Sequence, residues 1–314
     1  MSGSASLVAA THRPMNAGEG GILLGLSVLW GSSFFFYKVL GGALPTFTIV
    51  LGRMGIAAVV LNLVLLARGE WFRRGAPWGQ LLVLGVLNCV VPFGLFAWGE
   101  TQISSGMAAM LNATTPLFAV LMAHVVTRAE KLTWLRAGGV GLGMCGVAVL
   151  VGPTAVAGAR GHLLGDGACL AAAFTYAVAG QYARRLRGVP FLQVATGQLT
   201  AGALVLLPVA AVVDRFWALP MPGVGIWLSL AGIAVLCTAL AYILFFRLMA
   251  TAGPTNAMLV TFLLPISALL LGWLFLGEAV PARAFGGMAL IGAGLALMDG
   301  RLFRLVSLFG EPRR

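Results

Sequence analysis

Charge is what this chain of 314 residues has least of: Asp, Glu, Lys and Arg together make up 9% of it. A soluble globular protein carries about 25% charged residues, and a disordered chain is both charged and poor in apolar residues. Here hydrophobic residues are 60%, so a water-soluble enzyme and a disordered chain are both excluded. The nine acidic residues fall at the ends of apolar runs or between them. No carboxylate is therefore offered at a membrane midplane to relay a proton or hold Na⁺. The three histidines form no HExxH, and no pair of aspartates lies inside apolar runs, which removes the intramembrane proteases. The four cysteines are isolated, without a CxxC, so neither a metal site nor a disulfide framework is expected. Net charge is +11, yet no basic run is interleaved with aromatic side chains, so nucleic acid is not the expected partner. A channel's ring of charge or carbonyl filter is also missing. The expectation is a protein that is not an enzyme and needs no cofactor.

What the chain has is long apolar runs, at roughly 20–42, 46–67, 78–99, 103–126, 134–152, 164–183, 190–213, 222–247, 252–276 and 282–299. A helical span takes about 20 apolar residues. Transmembrane β-strands alternate polar with apolar, and these runs do not alternate. Ten transmembrane helices in an all-α membrane protein are expected. Residues 1–18 form a polar tail whose Leu7–Ala10 stretch is too short for a signal-peptide core, so the first run reads as an uncleaved anchor.

With ten spans and a cytoplasmic N-terminus, the inside segments hold 15 Lys and Arg, from Arg13 through Arg68, Arg73, Arg74, Arg128, Lys131, Arg136, Arg184, Arg185, Arg187 and Arg247 to the basic tail 301–314. The outside segments hold 4: Lys38, Arg160, Arg215 and Arg283. This asymmetry places both termini in the cytoplasm, and a miscount of one span would scramble it.

The fourth and ninth runs repeat one another. Ala108-Ala109-Met110-Leu111, Pro116 and Glu130 correspond to Ala257-Met258-Leu259, Pro265 and Glu278, with prolines 149 and glutamates 148 residues apart. The fifth run opens Arg136-Ala137-Gly138-Gly139 and the tenth Arg283-Ala284-Phe285-Gly286-Gly287. Two five-helix repeats emerge, 19–152 and 153–300. Five is odd, so the second must be inverted, the plan of many secondary transporters with a midplane site between halves.

The residues Trp30-Gly31-Ser32-Ser33-Phe34, Lys38, Pro45 and Arg53, with the paired Pro116/Glu130 and Pro265/Glu278, make the chain resemble the EamA-type carriers of the drug/metabolite transporter superfamily. The likeness runs from about residue 20 to 300. It implies a basket-like architecture of ten helices around a central cavity lined by helices one, three, four, six, eight and nine. Within the family the chain is similar to YddG-like exporters of aromatic and neutral amino acids. What the resemblance implies is a secondary transporter of a bacterial-type inner membrane whose partners are a small-molecule substrate and the lipid bilayer. It leaves the oligomeric state open. In the second half the tryptophan motif is degraded to Phe174-Thr175-Tyr176.

Candidate site residues follow from polar and proline positions inside the runs. Pro92, Pro116 and Pro265 each free the carbonyl four residues earlier, at Asn88, Asn112 and Thr261. Such breaks either line a wet cavity and offer acceptors to a substrate, or are kinks healed by neighbouring polar side chains. Helical spacing groups Trp30, Ser33 and Tyr37; Asn112 and Thr115; Tyr176 and Gly180; Thr238 and Tyr242; and Met258, Thr261 and Phe262. Together they would form a pocket with aromatic walls and few polar handles, suited to a small amphipathic ligand. The alternative is that these aromatics sit in interfacial belts. Arg53 is the only basic residue well inside a run; it either anchors a substrate carboxylate or ties helices together.

Overall fold

The computed structural model describes residues 15–72, 75–126, 133–156 and 160–299. The two tails, together with Arg73, Arg74, Arg128, Glu130 and Lys131 from the charge and repeat arguments, lie outside the described residues. Among those residues the architecture is all helical. Eight helices are long and apolar enough to cross a membrane, and two shorter apolar helices follow. In chain order they are α1 (Ala17–Gly41), α2 (Thr46–Ala67), α3 (Trp78–Gly99), α4 (Ser105–Val126), α5 (Trp134–Val156), α6 (Arg160–Ala183), α7 (Phe191–Val213), α8 (Val224–Ala252), α9 (Val260–Leu276) and α10 (Ala282–Asp299).

Local chemistry sets the ends. Asn16 caps α1 in a capping box: its side chain accepts from Glu19 N at 2.8 Å while Glu19 returns a bond to Asn16 N at 2.9 Å. The Ser104 hydroxyl accepts from Met107 N at 3.2 Å and opens α4. Gly277 closes α9 in the left-handed region at φ 65°.

Large apolar side chains face outwards as well as inwards. Leu24, Leu63, Leu204, Trp273 and Phe285 are each at least 60% exposed, a surface that only lipid satisfies. The core runs through the middle of the bundle, from Phe34 and Tyr37 past Met54, Phe93 and Phe96 to Leu199 and Ile233. The helices pair as α1 with α8 and α9, α2 with α7 and α8, α3 with α6 and α7, α4 with α6 and α9, and α5 with α10. The last pair is antiparallel and built on glycine. A Cβ at Gly139 would meet Gly294 O at 2.5 Å, and one at Gly146 would meet Gly287 O at 2.7 Å. Only hydrogen fits, and the backbones approach as small residues allow in membranes.

Candidate functional site

Arg53, on α2, is 5% exposed at the centre of the bundle. Its Nε donates to Thr238 Oγ1 on α8 at 2.9 Å and its Nη1 to Tyr37 Oη on α1 at 2.6 Å. The guanidinium lies 3.8 Å from the centre of the Phe93 ring on α3, a cation–π contact in a desolvated place. The side chain therefore ties four helices. Among the described residues no carboxylate forms an ion pair with it; the ion pair between Arg68 and Glu70 is at the surface. Tyr176 on α6 stacks on Phe96 with centroids 6.1 Å apart, and Phe96 meets Phe34 edge-on. Arginine and aromatic walls thus share one interior region.

A second polar group adjoins it. Asn88 Nδ2 donates to Gln198 Oε1 on α7 at 3.1 Å and to Tyr242 Oη on α8 at 3.4 Å, and Cys89 Sγ is 3.9 Å from the same hydroxyl. Tyr242 stacks on Phe246, which stacks on Phe191. Two helices are locally wound as π-helix here: Val86–Val90 in α3 and Gly232–Leu240 in α8. π-Segments are rare and gather at functional sites. In α8 the wider turn lets the Thr238 hydroxyl donate to Ile233 O, five residues back, while it accepts from Arg53. In α3 the widened turn ends just before Pro92, which is buried in the first turn after it, so the proline is accommodated by rewinding rather than by an open kink.

The remaining expected residues lie along α4 and α9. α4 is interrupted after Asn112 and resumes at Thr115 with Pro116 in its first turn. The Thr115 hydroxyl heals the break by donating to Asn112 O at 2.8 Å. The expectation for Pro265 is corrected. It lies inside continuous α9, and the interruption comes earlier, at Met258–Leu259, between the single turn Pro254–Ala257 and Val260. The physical reason is that a proline removes a single hydrogen bond, at Thr261 O, and an intramembrane helix can run on through one such loss. The Ser267 hydroxyl, 2.9 Å from Leu264 O and 2.6 Å from Ser27 O, joins that stretch to α1. The Thr261 hydroxyl caps Met258 O at 2.8 Å, Met258 is exposed, and Phe262 packs on the core. Trp30 packs against Phe245 at 5.1 Å, and Ser33 is buried nearby.

The structure therefore brings Arg53, Asn88, Tyr176 and Tyr242 together, and adds Tyr37 and Thr238 from the same helical faces. It keeps Asn112, Thr115, Met258 and Thr261 at two separate interruptions. Gln198, Phe93 and Phe96 were missed. Gln198 carried a usable signal, as one of two amides, with Gln193, within an apolar run.

One end of the bundle is held by polar ties. Lys38 Nζ donates to Glu100 O at 2.7 Å and Ile103 O at 2.8 Å. Glu278, just after α9, accepts from Ser105 N at 2.9 Å and Ser105 Oγ at 2.7 Å at the start of α4. Asp214 accepts from Thr48 N and Oγ1 at 2.6 and 2.9 Å.

A family profile described as the EamA-like transporter family matches residues 20–152 and again 163–298. The chain belongs to the EamA-like transporter family. It is thus an integral membrane transporter acting on small molecules, not an enzyme. A probable terminal-alkyne amino-acid exporter of Streptantibioticus cattleyicolor is 27% identical over 87% of this chain and 91% of the relative. An S-adenosylmethionine/S-adenosylhomocysteine transporter of Chlamydia trachomatis is 27% identical over 88% of this chain and 87% of its own. The inner membrane transporter YedA of Escherichia coli K12 is 26% identical over 83% of both chains. A crystal structure with 20% sequence identity superposes at a TM-score of 0.64, covering 90% of this chain and 98% of that one, which shows a shared fold.

Proposed function

We propose that this EamA-family transporter is a secondary carrier that exports small amphipathic metabolites, in the first place aromatic and neutral amino acids. It works by alternating access between two oppositely inserted five-helix halves, 19–152 and 153–300. The ten helices span a bacterial-type inner membrane with both termini in the cytoplasm.

The helix pairing supports the paired halves. Exchanging α1–α5 for α6–α10 maps α1–α9 onto α6–α4, α1–α8 onto α6–α3, and α2–α8 onto α7–α3, all of which occur; α2–α7, α4–α9 and α5–α10 map onto themselves. A pseudo-two-fold axis produces this pattern. The antiparallel glycine pairs between α5 and α10 support inversion, because corresponding helices of parallel repeats would run the same way.

One observation carries the substrate reading. A buried guanidinium, unpaired with any carboxylate among the described residues, is set against aromatic rings. Its bonds to Tyr37 and Thr238 leave further N–H donors of the fork, and an arginine fork fits a carboxylate. Two relatives point the same way: the compounds in their names, an alkyne amino acid and S-adenosylmethionine, are both α-amino acids bearing a larger side group. In this reading Arg53 takes the carboxylate. Phe93, Phe96 and Tyr176 take the side chain, while Asn88, Tyr242 and the interrupted stretches at Asn112 and Thr261 offer polar contacts. The second of those relatives also favours a variant reading, export of a different metabolite that carries the same head group.

The test is flux in proteoliposomes with a panel of labelled amino acids, amino-acid amides and unrelated metabolites. Amino acids should move and their amides should not. No amino-acid flux while another class of metabolite moves would overturn the substrate assignment.

A further inference from the structure

Glu100 is the first residue beyond the third span. It is 1% exposed, and neither carboxyl oxygen has a hydrogen-bond partner among the described residues. The nearest ammonium does not serve it: Lys38 spends its bonds on the backbone oxygens of Glu100 and Ile103. That arrangement neutralises the carbonyl end of α3 and leaves the carboxyl unsolvated. A buried carboxylate without hydrogen bonds is expensive, and such a group becomes neutral instead.

The charged and titratable groups facing it come from several neighbouring elements: Lys38 and Tyr37 on α1, Arg53 on α2, Cys169 on α6, and Glu278 after α9; Asp166 on α6 faces Cys169. Glu278 accepts from the Ser105 hydroxyl and amide at a helix N-terminus, the favourable end for negative charge. Burial pushes the Glu100 carboxyl well above the usual carboxylate range; Lys38 and Arg53 pull it down, and Glu278 pushes it further up. Two neighbouring acids are thus set apart, Glu278 hydrogen-bonded and Glu100 without a hydrogen-bond partner among the described residues.

We propose that Glu100 is a proton-binding site that locks the outer face of the carrier. It takes one proton from the outer solution when the ends of α3, α4 and α9 close over it, and returns that proton to the same solution when they part. This rests on the orientation and alternation proposed above, which put Lys38, Glu100, Ser105 and Glu278 outside. The sign follows from linkage: the closed state binds the extra proton, so acid outside favours closure, and closure is lost as pH rises through the closed-state pKa. Because the proton enters and leaves on one side, none crosses the membrane, which agrees with the lack of a midplane acid.

The test uses the full chain in lipid without substrate, so a wrong substrate assignment leaves it unaffected. Infrared difference spectra at neutral pH should contain the C=O stretch of a protonated carboxyl, absent in Glu100→Gln and retained in Asp166→Asn. A Met107→Cys probe in the Cys145→Ser background, read with an impermeant thiol reagent and normalised to an exposed cysteine, should label faster with rising outer pH. The rise should be up to about tenfold per pH unit, the limit for one linked proton. Glu100→Gln should make labelling slow and independent of pH. No protonated-carboxyl band in the wild-type protein, which needs no variant to fold, would overturn the proposal. So would an unchanged pH dependence in Glu100→Gln, or its loss in Asp166→Asn alone.

Discussion

At the scale of single residues, Arg53 serves two ends that the sequence kept open as alternatives. It ties helices, and in the proposed reading it is also the cation for a substrate carboxylate. Lysine keeps the charge and loses the planar fork. Arg53→Lys should therefore reach the membrane at normal levels and lose about tenfold or more in amino-acid flux, the effect of roughly 1.5–3 kcal/mol in a charged hydrogen bond. Flux per reconstituted molecule checks this. Tyr37→Phe removes the acceptor of Arg53 Nη1 and leaves a buried donor, at a cost of about 1–3 kcal/mol, readable as a lower thermal midpoint in detergent. Asn112→Ala and Thr261→Ala should each lower flux several-fold with unchanged expression; full flux in both would remove the interrupted stretches from the site. Helical spacing made Tyr37 and Thr238 legible, because each shares a face with a residue already suspected. Gln198 escaped notice because an amide in an apolar run announces a polar need without naming its partner.

At the scale of helices, most run boundaries were legible to within a few residues, since a span's length is fixed by lipid, but α8 runs on to Ala252 and α9 begins only at Val260. Their internal irregularities were less so. Pro116 does mark the interruption of α4, whereas Pro265 sits in an unbroken α9 and the interruption falls at Met258–Leu259. A proline states only that one donor is missing; whether the helix opens depends on side chains brought from elsewhere. The π-segments at Val86–Val90 and Gly232–Leu240 have no sequence signature, because they answer to what α3 and α8 meet across the interior. Two glycines of α1 differ in what they permit. Gly31 faces α9, where a Cβ would meet Leu264 O at 2.8 Å and collide with Ser267 Oγ. Gly31→Val should destabilise by about 1–3 kcal/mol, the usual cost of overpacking. The expected sign is a lower midpoint of thermal aggregation, while Gly21→Ala, where a Cβ meets nothing, should be neutral.

At the scale of the whole molecule, the scarcity of charge fixed the membrane class and the paired motifs located the duplication. How the two halves face one another was beyond the sequence, since a repeat describes likeness and not contact. The account rests on each half crossing the bilayer an odd number of times. Insertion of a reporter within residues 157–159, between α5 and α6, measures this directly when compared with the same reporter at the C-terminus. Alkaline phosphatase should be active between α5 and α6 and inactive at the C-terminus, and a fluorescent protein that matures only in the cytoplasm should show the reverse. The same side for both positions would mean that the halves are not inverted, and the alternating carrier built on them would be contradicted.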